Sequence, residues 1–242
     1  MDWNEVSNKG FLQEFSIFLA IIWSFLVSNG VAAELPFWKA KPEVYQKIVE
    51  QKRVFVSVTS VDGEKGSHEK HMKLSGGGQI RAPKDFAVER ILDFEKSFQH
   101  SDFIKSVQVD SKHHSLFIHA VAYGFSNSMK VNWSQKKEGS GKTLLSFEVQ
   151  EGIMKGFQWT LSFEKALKNR TDVGVDGDYN YEKFPMPAFF LRFGLEVVFQ
   201  KLAIQLRSYV EEEYNKVQKS KEREPWVEEL PRWLRTRASL CV

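Results

Sequence analysis

Between Lys105 and Tyr181 apolar and polar residues change places at nearly every step. Val107 and Val109 alternate with Gln108 and Asp110, and Phe117, His119, Val121, Tyr123 and Phe125 share one face of the next segment. Met129, Val131 and Trp133 follow, then Leu145, Phe147 and Val149, then Phe157, Trp159, Leu161 and Phe163, then Val173, Val175, Tyr179 and Tyr181. A period of two places each set on one face of a β-strand. Six such strands in succession, joined by short turns like Glu138-Gly139-Ser140-Gly141, predict an antiparallel meander with one buried face.

After Phe184-Pro185-Met186-Pro187 the period changes. From Ala188 to Tyr214 the residues Leu191, Leu195, Val198, Leu202, Leu206 and Tyr209 recur at three- and four-residue steps, which predicts a long helix. Phe189, Phe190, Phe193, Val197 and Phe199 widen its apolar face. Upstream, Pro42 to Gln51 reads as a short helix opened by Pro42, and Arg53 to Val61 reads as a strand. His71 to Ile80 reads as another strand, whose Gly76-Gly77-Gly78 predicts a bulge or a close backbone approach. Asp85 is placed to cap a helix running to about Asp93, and a second short helix covers Glu95 to Phe103. A strand, two short helices, six strands and one long helix follow the order of the helix-grip fold. The expected architecture is α+β: a curved antiparallel sheet of about seven strands wrapped on the long C-terminal helix.

The stretch Asp85-Phe86-Ala87-Val88-Glu89-Arg90-Ile91-Leu92-Asp93-Phe94, continued to Phe103-Ile104-Lys105-Ser106-Val107-Gln108-Val109, resembles the helix–helix–strand opening of polyketide-cyclase-like and coenzyme-Q-binding members of the START-related superfamily (SRPBCC). Gly156-Phe157-Gln158-Trp159-Thr160-Leu161 is similar to their sixth strand, and Phe184-Pro185-Met186-Pro187-Ala188-Phe189-Phe190 to the start of their last helix. The likeness covers roughly residues 72 to 214. A prefix over 34–70 and a tail from Lys216 are extra. The resemblance implies a cavity between sheet and long helix that holds a lipid, sterol, quinone, polyketide or plant hormone. The inward positions expected to line it are Phe117, His119, Tyr123, Met129, Val131, Trp133, Phe147, Phe157, Trp159, Tyr179, Phe190 and Phe193. The alternative is that these rings simply fill the core. His119 has three readings: a hydrogen-bonded core histidine, a polar contact to a ligand, or an acid–base group.

Composition agrees with a wide apolar interior. Twenty Phe, seven Trp and six Tyr make 14% of the chain, and 25 of these rings lie within residues 34–215. The net charge of +3 gives no electrostatic case for nucleic acid. A single cysteine, Cys241, leaves no intramolecular disulfide. Gly139-Ser140-Gly141-Lys142-Thr143 lacks both the earlier Gly and the following helix of a phosphate loop, so it reads as a hairpin turn. His68 with His71, and His113 with His114, have no third ligand at metal spacing. Asn132-Trp133-Ser134 and Asn169-Arg170-Thr171 match glycosylation acceptors, which matter only in a eukaryotic secretory pathway. No Gly-x-Ser-x-Gly is present and no cofactor is implied.

Residues 1–33 read as a targeting segment. Phe15 to Val27 is an apolar run of 13 residues, followed by Ser28-Asn29-Gly30 and Val31-Ala32-Ala33. Small residues at the end of a short apolar run match a secretory signal peptide, with cleavage after Ala33. The acidic Asp2, Glu5 and Glu14 before the run keep a retained anchor or a cytosolic helix open as alternatives. The four segments are thus 1–33, a signal peptide or anchor; 34–70, an extension with a helix and a strand; 71–215, the helix-grip domain; and 216–242, a basic tail containing Trp226 and Trp233. The tail packs back on the domain, touches an anionic membrane peripherally, or is disordered. The function expected is an exported binding protein for an apolar small molecule, in the periplasm or cell envelope of a bacterium. A polyketide cyclase or dehydratase and a ligand-free interaction module are the alternatives.

Overall fold

A computed structural model describes residues 37–62, 70–99, 101–122, 124–182, 184 and 188–223. The targeting segment, the tail beyond 223, Tyr123 and the side chain of Phe190 lie outside them. The elements are α1 (Phe37–Ala40), α2 (Pro42–Gln51), β1 (Phe55–Asp62), β2 (Lys70–Ile80), α3 (Lys84–Leu92), α4 (Phe94–Phe98), β3 (Ile104–Asp110), β4 (Ser115–Ala122), β5 (Phe125–Lys137), β6 (Thr143–Glu151), β7 (Gln158–Lys165), β8 (Thr171–Tyr181) and α5 (Ala188–Arg223).

The strands form one antiparallel sheet in the order β1-β2-β8-β7-β6-β5-β4-β3. The meander β3 to β8 is continuous, as the alternation predicts. The sheet has eight strands, not about seven. The added one is β1: Val54, Val56 and Val58 put an apolar face on the same side as Leu74, and Val56 pairs with Gly76. Val56 of β1 and Ile104 of β3, at opposite edges, line one cavity, so the sheet curls round on itself.

The Gly76-Gly77-Gly78 run sits in unbroken register with β8, and Gly76 and Gly77 also pair with β1, so it is no bulge. It is a close approach. Trp38, only 2% exposed, lies on the outer face of the sheet, and a Cβ added at Gly77 would run into its indole. Gly174, paired with Gly77, leaves room for the same ring. Polar contacts hold α1 and α2 beside it. Lys39 bridges Glu164 and, at 3.3 Å, the buried Asp172. Gln79 Nε2 also donates to Asp172, at 3.0 Å, and the Tyr45 hydroxyl reaches it at 3.5 Å. Burial pulls the Lys39 ammonium down, but its hydrogen bond to Glu164 and the Asp172 charge outweigh that and raise its pKa. Burial pushes the Glu164 carboxyl up, but Lys39 and Lys142 win and hold it below its usual value.

Helix α3 starts at Lys84 with Pro83 as its cap residue, and no side chain caps it; Asp85 sits inside the first turn, where its charge favours the helix dipole. Helix α4 stops at Phe98, short of the predicted Phe103, because Ile104 is already paired in β3.

Helix α5 runs 36 residues, about 54 Å, and extends past the predicted Tyr214. It lies antiparallel to the free edge of β1 and serves that edge with side chains. Gln200 Oε1 accepts the Val56 N–H at 3.1 Å and its Nε2 donates to the Val54 carbonyl at 2.6 Å. Glu196 accepts the Val58 N–H at 3.2 Å, and away from that edge, just past β2, Glu211 accepts the Arg81 N–H at 2.9 Å. An open strand edge invites pairing with another chain; here the helix occupies it.

Candidate functional site

Between the curled sheet and α5 lies a cavity of about 240 Å³. An apolar cavity of about 150 Å³ already takes up benzene, so by proportion this one holds about ten heavy atoms. Every strand contributes to its wall. Even-numbered residues do so at β1 (Val56, with Val54 just before it) and on β4 (Leu116, Ile118, Ala120, Ala122). Odd-numbered ones do so on β5 (Met129), β6 (Phe147, Val149), β7 (Trp159, Leu161) and β8 (Val173, Val175). Ile91, Phe94 and Phe98 of α3 and α4 close the lower end, and Leu195, Val198, Phe199, Leu202, Ala203 and Leu206 of α5 form the roof.

One wall is aromatic. Phe147 stacks on Trp159 with ring centroids 5.0 Å apart, and Trp159 stacks on Phe157 at 5.1 Å. Phe157 meets Phe199 of α5 edge-on at 5.8 Å, and Phe94 meets Phe147 edge-on at 6.1 Å. The rings thus tie the β6–β7 side of the sheet to both α4 and α5. Tyr179 packs edge-on against Phe157, and its hydroxyl donates to the Ile153 carbonyl at 3.2 Å. Burial raises the Tyr179 pKa, so the phenol stays protonated as that bond requires.

Four of the expected lining residues, Met129, Phe147, Phe157 and Trp159, lie on the cavity wall. Val131, Trp133 and Tyr179 point to the same side and pack in the core around it. Two residues of β4 are on the wrong face. Phe117 is 44% exposed and stands beside Lys130, whose ammonium lies 5.5 Å from the ring. His119 is also on the outer face, its Nδ1 3.0 Å from Ser128 Oγ across the β4–β5 pair. The reason is that Leu116 to Ala122 is apolar on both faces apart from His119, so hydropathy leaves the parity open and one step flips every side chain. Phe193 is 55% exposed: it sits two residues from Leu195, about 200° round the helix. Tyr123 and the Phe190 side chain fall outside the described residues.

The expected lining set missed the contributions of β1, β2, β3, α3, α4 and Phe103, the α5 roof from Leu195 to Leu206, and one charged wall residue, Arg207. A signal for Arg207 exists: Phe199, Ala203 and Arg207 follow at four-residue steps, which puts a cation on the apolar stripe. Among the described residues no group of three His, Cys, Asp or Glu is placed to hold a metal ion.

Comparison with solved structures gives partial likenesses. A START superfamily protein from Mycobacterium smegmatis is 18% identical, with a TM-score of 0.49, over 58% of this chain and 97% of that one. A STAR-related lipid transfer protein from Xanthomonas axonopodis is 14% identical, with a TM-score of 0.47, over 64% and 93%. The Zhui aromatase/cyclase from Streptomyces sp. R1128 is 11% identical, with a TM-score of 0.47, over 60% and 94%. No family model and no curated protein matches the chain.

Proposed function

We propose that this protein binds an apolar small molecule, a lipid, quinone or polyketide-like compound, in the space between its sheet and α5. The observation that carries the reading is the cavity itself. Large side chains pack throughout the interior, and Phe199 of α5 touches the aromatic wall, yet about 240 Å³ lined by apolar groups is left between sheet and helix. Ligand sites have this character: concave, apolar, with few polar groups. Apart from Arg207, the wall residues bear no charge, and Gln79 directs its side chain to Asp172 on the outer face. Such a wall suits holding a molecule better than proton transfer. Residues 1–33 are assigned to export, which makes the site a carrier or sensor in the cell envelope, and the basic, Trp-containing tail is assigned to contact with the membrane there.

The test is extraction. Protein purified from its native source is treated with organic solvent and the extract is analysed by mass spectrometry. One apolar compound in near-stoichiometric yield is expected, absent from an Ala203→Phe variant whose added ring occupies the cavity. Empty protein, or the same compound from both forms, overturns the reading. Fractionation of the producing cells checks export: mature protein beginning near Glu34 in the envelope fraction is expected.

A further inference from the structure

Among the described residues the cavity wall contains no Ser, Thr, Tyr, Asn, His, Asp or Glu. The wall residues with long polar side chains spend their polar ends elsewhere. Gln79 has both ends of its amide engaged: Nε2 donates to Asp172 at 3.0 Å, and Oε1 accepts from Arg170 at 3.3 Å. Arg207 carries its guanidinium out to the carbonyl of the exposed Lys52, so its aliphatic stem is what it gives the wall. The Tyr179 phenol, beside Phe157, is committed to the Ile153 carbonyl. What remains is the Trp159 indole N–H, on a ring stacked against Phe147 and Phe157, and the weakly accepting sulfurs of Met129 and Met154. A bridging water needs two to four polar partners, and an apolar cavity without them stays dry.

We propose that this cavity selects its ligand by excluding hydrogen-bonding groups, so that the molecule it holds is a hydrocarbon of about ten carbons, terpene-like or fused aromatic. The inference rests on the apolar-ligand reading above and narrows it, towards hydrocarbon lipids and away from quinones and polyketides. Each carbon buried against the wall gains as apolar surface does anywhere. A hydroxyl or carbonyl gives up its hydrogen bonds to water and meets no replacement, neither a side chain nor a water that could travel with it. A site built to bind an oxygen discriminates in the other direction, because its own polar group is left unpaired by the analogue that lacks the oxygen. Rejection of the polar analogue, rather than attraction of a particular head group, sets the specificity here.

The pair 2-methylnaphthalene and 2-naphthol tests this, since the two differ only in a methyl or a hydroxyl on one skeleton. Binding of each to the full chain is measured by isothermal titration calorimetry. The methyl compound is expected to bind about a hundredfold tighter, the difference set by a hydroxyl buried without a partner. A ratio of about tenfold or less, which is what a solvent able to hydrogen-bond the hydroxyl leaves, overturns the proposal and keeps the apolar cavity. This arm needs no variant to fold. Trp159→Phe removes the one unengaged side-chain N–H of the wall and should leave the ratio within about twofold of its original value. A ratio that rises with that substitution shows the indole serving the oxygen, and overturns the proposal as well. Binding of neither compound overturns the apolar-ligand reading and the proposal with it.

Discussion

The contact between Trp38 and the paired glycines of β2 and β8 makes a sharp prediction about Gly77. A Cβ built at Gly77 has its three nearest neighbours in the Trp38 indole, all well inside van der Waals distance. Strand β2 is paired on both sides at Gly76 and Gly77, so the backbone cannot yield, and the ring must leave. Trp38 is 2% exposed, and truncating a buried Trp costs about 3–5 kcal/mol. Against this, Ala in a strand interior is favoured over Gly by roughly 0.5–1 kcal/mol. Gly77→Ala should therefore destabilise by about 2–4 kcal/mol. In a Trp38→Ala background the obstacle is gone, and Gly77→Ala should stabilise by about 0.5–1 kcal/mol. The sign reverses between backgrounds. Urea denaturation followed by far-ultraviolet circular dichroism measures all four corners of the cycle without relying on indole fluorescence. Additive effects, equal within about 0.5 kcal/mol in the two backgrounds, would refute the steric account.

Three further outcomes follow from the geometry. Gln200→Leu strips the partners from the Val54 carbonyl and the Val56 N–H, so a loss of about 1–3 kcal/mol per group is expected, with self-association through the bared β1 edge seen by light scattering. On β4, Ile118→Ala should cost about 2–5 kcal/mol while Phe117→Ser should change stability by no more than about 0.5 kcal/mol; the reverse order in thermal melts would restore the opposite parity. The Glu164 pKa is lowered in the fold, so its pair with Lys39 contributes fully above the ordinary value of 4.5 and is lost as pH falls through the folded value. The raised Lys39 pKa places the matching loss at the alkaline end, above its usual 10.5. Both partners are partly exposed, so the contribution is at most about 1 kcal/mol, and Glu164→Gln should flatten that part of the acid limb, below the ordinary carboxylate value of 4.5, in urea midpoints.

Most of the sheet is legible in the sequence because its strands are amphipathic. On β6, Leu145, Phe147 and Val149 alternate with Ser146, Glu148 and Gln150, and only one face can be buried. The roof is legible for the same reason, since Leu195, Val198, Leu202 and Leu206 keep a helical period. Strand β4 defeats the method, because Leu116, Ile118, Ala120 and Ala122 are as apolar as Phe117 and Val121. Strand β1 is read as a strand from its own pattern, but its pairing with β2 depends on contacts that no local pattern encodes. The place of Trp38 is invisible for a similar reason. The triple glycine announces a close approach, and Gly174 marks the neighbouring strand, yet nothing nearby in sequence says which residue arrives.

The grip of α5 on β1 joins residues that are remote along the chain: Val58 to Glu196 spans 138 positions and Lys52 to Arg207 spans 155. The hairpins of β3 to β8 close over much shorter distances, and short loops close first. The sheet is therefore expected to assemble before its roof, leaving the aromatic wall open to water until the last helix is in place. Under the proposed function, folding and loading share one final step, and a molecule present at that moment acts as the template on which the roof settles. Comparison of refolding rates with and without an added apolar compound would show it: acceleration confined to the slowest phase is expected, and identical traces would separate the two events.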